Sequence, residues 1–130
     1  MLFRSDATGA SAPSAWMQTP LRDRWIVDPA ALDAAFQALI VWSEDQMGVP
    51  CLPSFARRYR QYAEFPANGT RIAARVSRRA EGSIGAEVDF LDGRGALVAR
   101  LEGFEAVASA GLKKAFRRNS VDSAALALES

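Results

Sequence analysis

The chain has 130 residues, sixteen of them basic and fifteen acidic, for a formal charge of +1, and 49% are hydrophobic. That is the length of one domain with enough apolar material for a core. So even a charge balance gives no case for nucleic acid or an anionic membrane as partner. No apolar run approaches the roughly 20 residues that span a bilayer. The N-terminus shows no basic stretch followed by an apolar one, so a secretory signal is not expected and a cytoplasmic location is. The sequence contains no histidine, so a reaction that needs an imidazole must obtain it from elsewhere, and neither a metal nor a bound cofactor is expected. Cys51, the lone cysteine, lies in the apolar stretch Val49-Pro-Cys-Leu-Pro53 and reads as a small buried thiol.

Residues 1–15 read as a flexible linker, because Ser5 to Ala15 are small and polar and include Gly9 and Pro13. Trp16, Met17 and Leu21 to Val27 bring larger apolar groups, and the latter suggest a short strand ending at Val27. Asp28 is a good helix N-cap, and Pro29 fits the first helical position, where its missing N–H costs nothing. The helix is expected to run to about Gln46, with Gly48 as its stop and Pro50 beyond.

After the helix the hydrophobic period changes from 3.6 to 2. Ser54 to Tyr62 reads as a strand. In Thr70 to Arg79, Ile72, Ala74 and Val76 alternate with polar residues, and in Ser83 to Leu91, Ile84, Ala86, Val88 and Phe90 do the same. Asp92-Gly-Arg-Gly95 is a hairpin turn, and Ala96 to Ala108 returns as a strand. Gly111 to Asn119 is expected to form a short basic helix, and residues 120–130 a flexible tail.

Asp33 and Gln37 stand four residues apart, so on the helix they share one face. The residues around them, Ala30 to Val41, are otherwise apolar. A carboxyl group in such company is expected to lose hydration and either find partners or stay protonated, which makes Asp33 a candidate proton donor. The bland reading is that Asp33 hydrogen-bonds a nearby backbone group, with Gln37 as its partner. The groups Arg57, Arg58 and Arg60, and Lys113, Lys114, Arg117 and Arg118, are either solvated faces or docking points for an acidic protein.

The order is strand, one long central helix, then four antiparallel strands. A curved sheet must cover its apolar face, and only one helix here is long and apolar enough to do so. The expected architecture is α+β, a single hot-dog fold over residues 16–119, with an antiparallel sheet wrapped around one helix.

Several elements in series resemble a known family: Trp25, Asp28-Pro29, Leu32-Asp33-Ala-Ala-Phe-Gln37, Trp42, Leu52-Pro53, Tyr59-Arg-Gln-Tyr62, Asp89-Phe-Leu-Asp92-Gly-Arg-Gly95, Ala99-Arg-Leu-Glu-Gly103-Phe-Glu105 and Phe116-Arg-Arg-Asn119. They resemble the C-terminal hot-dog half of polyketide synthase dehydratase and product-template-like domains, with the closest likeness to those of polyunsaturated-fatty-acid and enediyne-type synthases. In that family two hot dogs pair. The N-terminal half supplies a histidine, the C-terminal half an aspartate in an Asp-x-x-x-Gln (or His) motif, and together they dehydrate a β-hydroxyacyl thioester carried on a phosphopantetheinyl acyl carrier protein. The resemblance implies that Asp33 is the catalytic acid and Gln37 the residue that positions it. It also implies two partners, an acyl carrier protein and a histidine-bearing hot-dog half or, failing that, a second copy in a homodimer. This chain departs from the pattern in lacking the histidine half.

Two rival functions remain at this stage: a non-catalytic hot dog that binds an acyl chain or scaffolds a megasynthase, and a thioesterase-like hot dog in which the helix aspartate activates water.

Overall fold

The computed structural model describes residues 2–80 and 82–111. The basic helix expected over 111–119, apart from Gly111, and the tail expected over 120–130 lie outside the described residues, as do Lys113, Lys114, Arg117 and Arg118. In chain order the elements are β1 (Leu2–Ala7), a 3₁₀ turn (Pro13–Ala15), α1 (Pro29–Met47), β2 (Cys51–Gln61), β3 (Thr70–Arg78), β4 (Ser83–Leu91) and β5 (Leu97–Ala108). The strands form one antiparallel sheet in the order β1-β3-β4-β5-β2. None of the described helices is long and apolar enough to cross a membrane.

The helix starts and stops where its capping residues dictate. Asp28 accepts from the amides of Ala30 at 2.9 Å and Ala31 at 3.3 Å, Pro29 occupies the first turn, and Gly48 ends the helix in the left-handed region at φ 71°. Asp28 also accepts from the amide of Ala10 at 3.2 Å, eighteen residues upstream. Arg78, the last residue of β3, donates to the carbonyl of Gln46, placing a cation at the negative end of the helix.

Period 2 holds along β3 and β4 as expected. Ile72, Ala74 and Val76 on β3 pair with Phe90, Val88 and Ala86 on β4, so both sets share one face. Ala99, Leu101, Phe104 and Ala106 on β5 extend it. Against this face α1 sets Ala31, Ala35, Ala38, Leu39 and Trp42, all buried. The three alanines let the helix backbone approach, and Phe36 stacks on Phe104 with ring centroids 5.5 Å apart. Each fully buried Ile, Val or Phe in this layer contributes about 1.5–3 kcal/mol.

Two expectations fail. Residues 1–15 are not a linker throughout, because Leu2–Ala7 form β1, registered on β3 from Leu2↔Arg75 to Ala7↔Thr70. Leu2–Ala7 show no clean alternation of apolar and polar residues, and the stability of this edge strand comes from backbone pairing rather than from its own apolar pattern. An ion pair from Arg71 to Asp6 at 3.6 Å adds to it. The short strand expected to end at Val27 is absent, and Leu21 to Val27 is irregular. The sheet position beside β3 is already taken by β1, so the later segment has no edge there to join. Cys51 rather than Ser54 begins β2.

β5 carries a bulge where Glu102 and Gly103 together oppose Glu87, and Gly103 sits at φ 59°. Its amide donates to the Glu87 carboxylate at 3.1 Å. A Cβ here would come within 2.8 Å of Cβ of Arg57.

Asp28→Ala is expected to lower stability by about 2 kcal/mol, the upper end for a lost helix cap, because Ala10, Ala30 and Ala31 all lose their acceptor. Asp28→Asn should retain part of it. Urea denaturation followed by far-UV circular dichroism measures both.

Candidate functional site

The inward face of α1 is spent on the sheet, so the opposite face decides what the helix offers. Asp33 and Gln37 lie there, both exposed. Val41, one further turn along, is 59% exposed, and Ile40 and Ala34 flank the pair, partly buried. Further along the same stripe come Glu44 and Asp45. The structure therefore brings Asp33 and Gln37 together as expected, one turn apart on one face. The desolvation expected for Asp33 is not present in this chain, because its apolar neighbours point mostly into the core while the carboxyl stands in solvent. Among the described residues no side-chain hydrogen bond or ion pair holds either residue. The result is a carboxylate and an amide set into an uncovered stripe with apolar shoulders.

The concavities lie elsewhere. Three adjoining ones, of about 630, 360 and 560 Å³, gather around Arg24 and Trp25 in the segment leading into α1. Neither Asp33 nor Gln37 lines any of them. The Trp25 indole donates to the carbonyl of Ser11 at 2.7 Å and meets Trp16 edge to face at 5.3 Å. Trp42, by contrast, is buried in the core.

The Tyr59-Arg-Gln-Tyr62 element proves to be a fastening. Tyr59 Oη donates to Gln61 Oε1 at 2.8 Å, and Gln61 Nε2 donates to the carbonyls of Ile26 at 2.8 Å and Ala63 at 3.0 Å. One side chain thus ties the lead-in segment to the end of β2. Burial pushes the Tyr59 phenol up to about 12. Tyr62 is exposed.

Other residues singled out in the sequence take structural parts. Cys51 is buried, its thiol 3.5 Å from the carbonyl of Leu39, and burial raises its pKa. Asp92 accepts from the amides of Arg94 and Ala96, each at 2.9 Å, which closes the β4–β5 hairpin. The Ala96 and then the Arg94 amide hold its carboxyl below the usual carboxylate range.

The sequence singled out Arg57, Arg58 and Arg60, but not the ion pairs of the charged layer on the sheet to which they belong. Asp89, largely buried, accepts from Arg100 Nε at 2.7 Å and lies 3.4 Å from Arg75. Glu102 faces three guanidinium groups, Arg57 and Arg58 at 3.9 Å and Arg60 at 3.7 Å. With Arg79 on Glu105, six arginines share three carboxylates. Strand alternation sets Arg58 and Arg60 on one face and the adjacent Arg57 on the other, and only the register shows which residues meet.

A sheet of five antiparallel strands closed over one long helix is a hot-dog fold, and the stripe bearing Asp33 is the face such a domain leaves open. Residues 4–115 match the family described as polyketide synthase dehydratase N-terminal domain, and the chain belongs to that family. The description names the N-terminal domain, whereas the sequence motifs resemble the C-terminal half; dehydratase membership is common to the two. Among solved structures, a variant of the GphF dehydratase is similar, with a TM-score of 0.53 and 21% identity over 65% of this chain and 32% of that one. At that identity the likeness carries the fold alone, and this chain spans about a third of that protein. No curated protein matches.

A phenol whose pKa is raised in the folded state supports folding below its unfolded value of about 10 and loses that support as pH rises toward about 12. Spectrophotometric titration should therefore show one tyrosinate step near 12 that is missing in Tyr59→Phe. The same variant should lose less stability than the wild type between pH 10 and 12.

Proposed function

We propose that this chain is one hot-dog half of a β-hydroxyacyl carrier-protein dehydratase, in polyketide or polyunsaturated fatty acid assembly, and that it supplies the acid. The observation that carries the reading is Asp33 with Gln37 on an uncovered, apolar-shouldered helix face in a chain that has no histidine. Between the two halves of such an enzyme, the absence of histidine favours the aspartate-bearing one, in line with the motif resemblance.

Dehydration moves two protons. A base removes the proton from Cα of the acyl thioester, the Cα–Cβ double bond forms, and the Cβ–O bond breaks as Asp33 gives its proton to the departing hydroxyl, which leaves as water. The base is a histidine contributed by a partner hot dog. A partner that covers the α1 stripe takes water from the Asp33 carboxyl, and loss of hydration favours the protonated form an acid requires. Gln37, one turn along, donates to that carboxyl or to the substrate hydroxyl and fixes its direction.

A second reading keeps the fold without the chemistry: a hot dog that binds an acyl chain or scaffolds a synthase. It is favoured by the concavities around Trp25, one of which is lined by Pro13, Met17, Pro20, Leu21, Ile26 and Val27 and is chiefly apolar.

Incubating the chain with a β-hydroxyacyl carrier protein, alone and with a histidine-bearing hot dog, and following loss of one water by mass spectrometry, separates the two readings. Enoyl product only with the partner is expected, with Asp33→Asn slowing it by about 10²–10⁴-fold at unchanged circular dichroism. Gln37→Ala should cost less, up to about 10²-fold. Retained binding of the acyl carrier with no product in any combination would replace this function with the binding one.

A further inference from the structure

β2 is the longest free edge of the sheet. Among the described residues it pairs with β5 on one side only, and its eleven residues, Cys51 to Gln61, are mostly exposed. An edge of this kind presents unpaired amides and carbonyls to any strand that can lie beside it. The first part is blunted by Pro53, which has no amide hydrogen, and by the register shift between Pro53 and Phe55. The second part is backbone-competent but carries Arg57, Arg58 and Arg60 around the single carboxylate of Glu102, an excess of two positive charges at one place. The opposite edge, β1, is six residues long and carries one charge of each sign, Arg4 and Asp6.

The β2 sequence, CLPSFARRYRQ, contains no aspartate or glutamate. Two copies paired along β2 could therefore never set a carboxylate opposite an arginine, in any register. Every two-fold pairing brings three guanidinium groups from each chain to one seam, opposed only by arginine or by uncharged residues of β2. A non-identical strand bearing carboxylates meets no such cost and gains charge-assisted contacts along the seam.

We propose that the β2 edge is selective: it accepts an acidic strand from a different chain or domain and rejects a second copy of this one. The inference rests on reading the chain as one half of a paired hot dog, and it names the chemistry of the partner's edge. The homodimer that the sequence leaves open as a substitute for the missing half is disfavoured along this seam.

The test uses three capped, fluorescein-labelled peptides of about ten residues. One alternates glutamate with valine, the second alternates lysine with valine, and the third is the acidic peptide with two valines replaced by proline. Fluorescence anisotropy should show the acidic strand-former binding the wild-type chain, the lysine peptide not binding, and the proline-bearing peptide binding at least about tenfold more weakly. The Arg57→Gln/Arg58→Gln/Arg60→Gln variant should lose about tenfold or more in affinity for the acidic peptide. It should also self-associate more tightly than the wild type in analytical ultracentrifugation at low ionic strength. Raising the salt to about 1 M, where the screening length is about 3 Å, should narrow that gap by letting the wild-type protein self-associate more tightly. Equal binding of the proline-bearing peptide would mean that charge is read without a strand, as an acidic folded protein would be, and would overturn the proposal. A triple variant no more self-associating than the wild type would overturn it as well. The readout is binding and needs no turnover, so it succeeds or fails independently of the dehydration assay.

Discussion

How closely α1 can lie against the sheet governs the rest of the molecule. Its inward face is built from Ala31, Ala35 and Ala38 with only Leu39 and Trp42 as larger groups, while the bulk of the core comes from the strands, in Ile72, Ile84, Val88, Phe90 and Phe104. Small residues on the helix and large ones on the sheet interdigitate at native density. Enlarging any of these alanines would push the helix off the sheet and move Asp33 and Gln37 with it. The candidate site is therefore positioned from behind, by residues that never touch it.

The same economy leaves one face of the helix uncovered. A helix that faces the sheet along one side leaves one stripe free, and here that stripe combines Asp33, Gln37, Ile40 and Val41. Apolar shoulders around an unpaired carboxylate are poorly matched to water, and they match a covering surface well. Charge is distributed in the opposite way on the sheet, where Asp89, Glu102 and Glu105 are each outnumbered or matched by arginine. The helix stripe lacks cations and the β2 edge has a surplus of them, so the two surfaces call for different contacts from whatever binds.

The helix was legible because each of its signals has a local physical cause. Asp28 caps, Pro29 begins, Gly48 ends, and the period between them is helical. Strands β3, β4 and β5 were legible for the same reason, since alternation and the Asp92 turn act within a few residues. β1 was not, because Leu2 to Ala7 become a strand through pairing with Thr70 to Arg75, far along the chain, and nothing in their own pattern demands it. The Leu21 to Val27 segment failed in the mirror sense: its apolar residues suit a strand, but β1 holds the place. Asp33 and Gln37 were correctly set on one face, while their exposure depends on which side of the helix the sheet occupies. The arginine group around Glu102 depends on the pairing of β2 with β5, which sets Arg58 opposite Glu102 and is visible only in the register.

One feature reaches beyond its local role. The Asp28 carboxylate serves the first turn of α1 and, at the same time, the amide of Ala10, closing an eighteen-residue excursion of chain onto the helix start. Turning the Asp28 side chain away from the helix therefore also takes the acceptor from Ala10. The Ala10 amide becomes a remote gauge of the helix. Its hydrogen exchange requires the bond to the Asp28 carboxylate to open, so its protection reports on that carboxylate from a place in the chain that belongs to no helix at all.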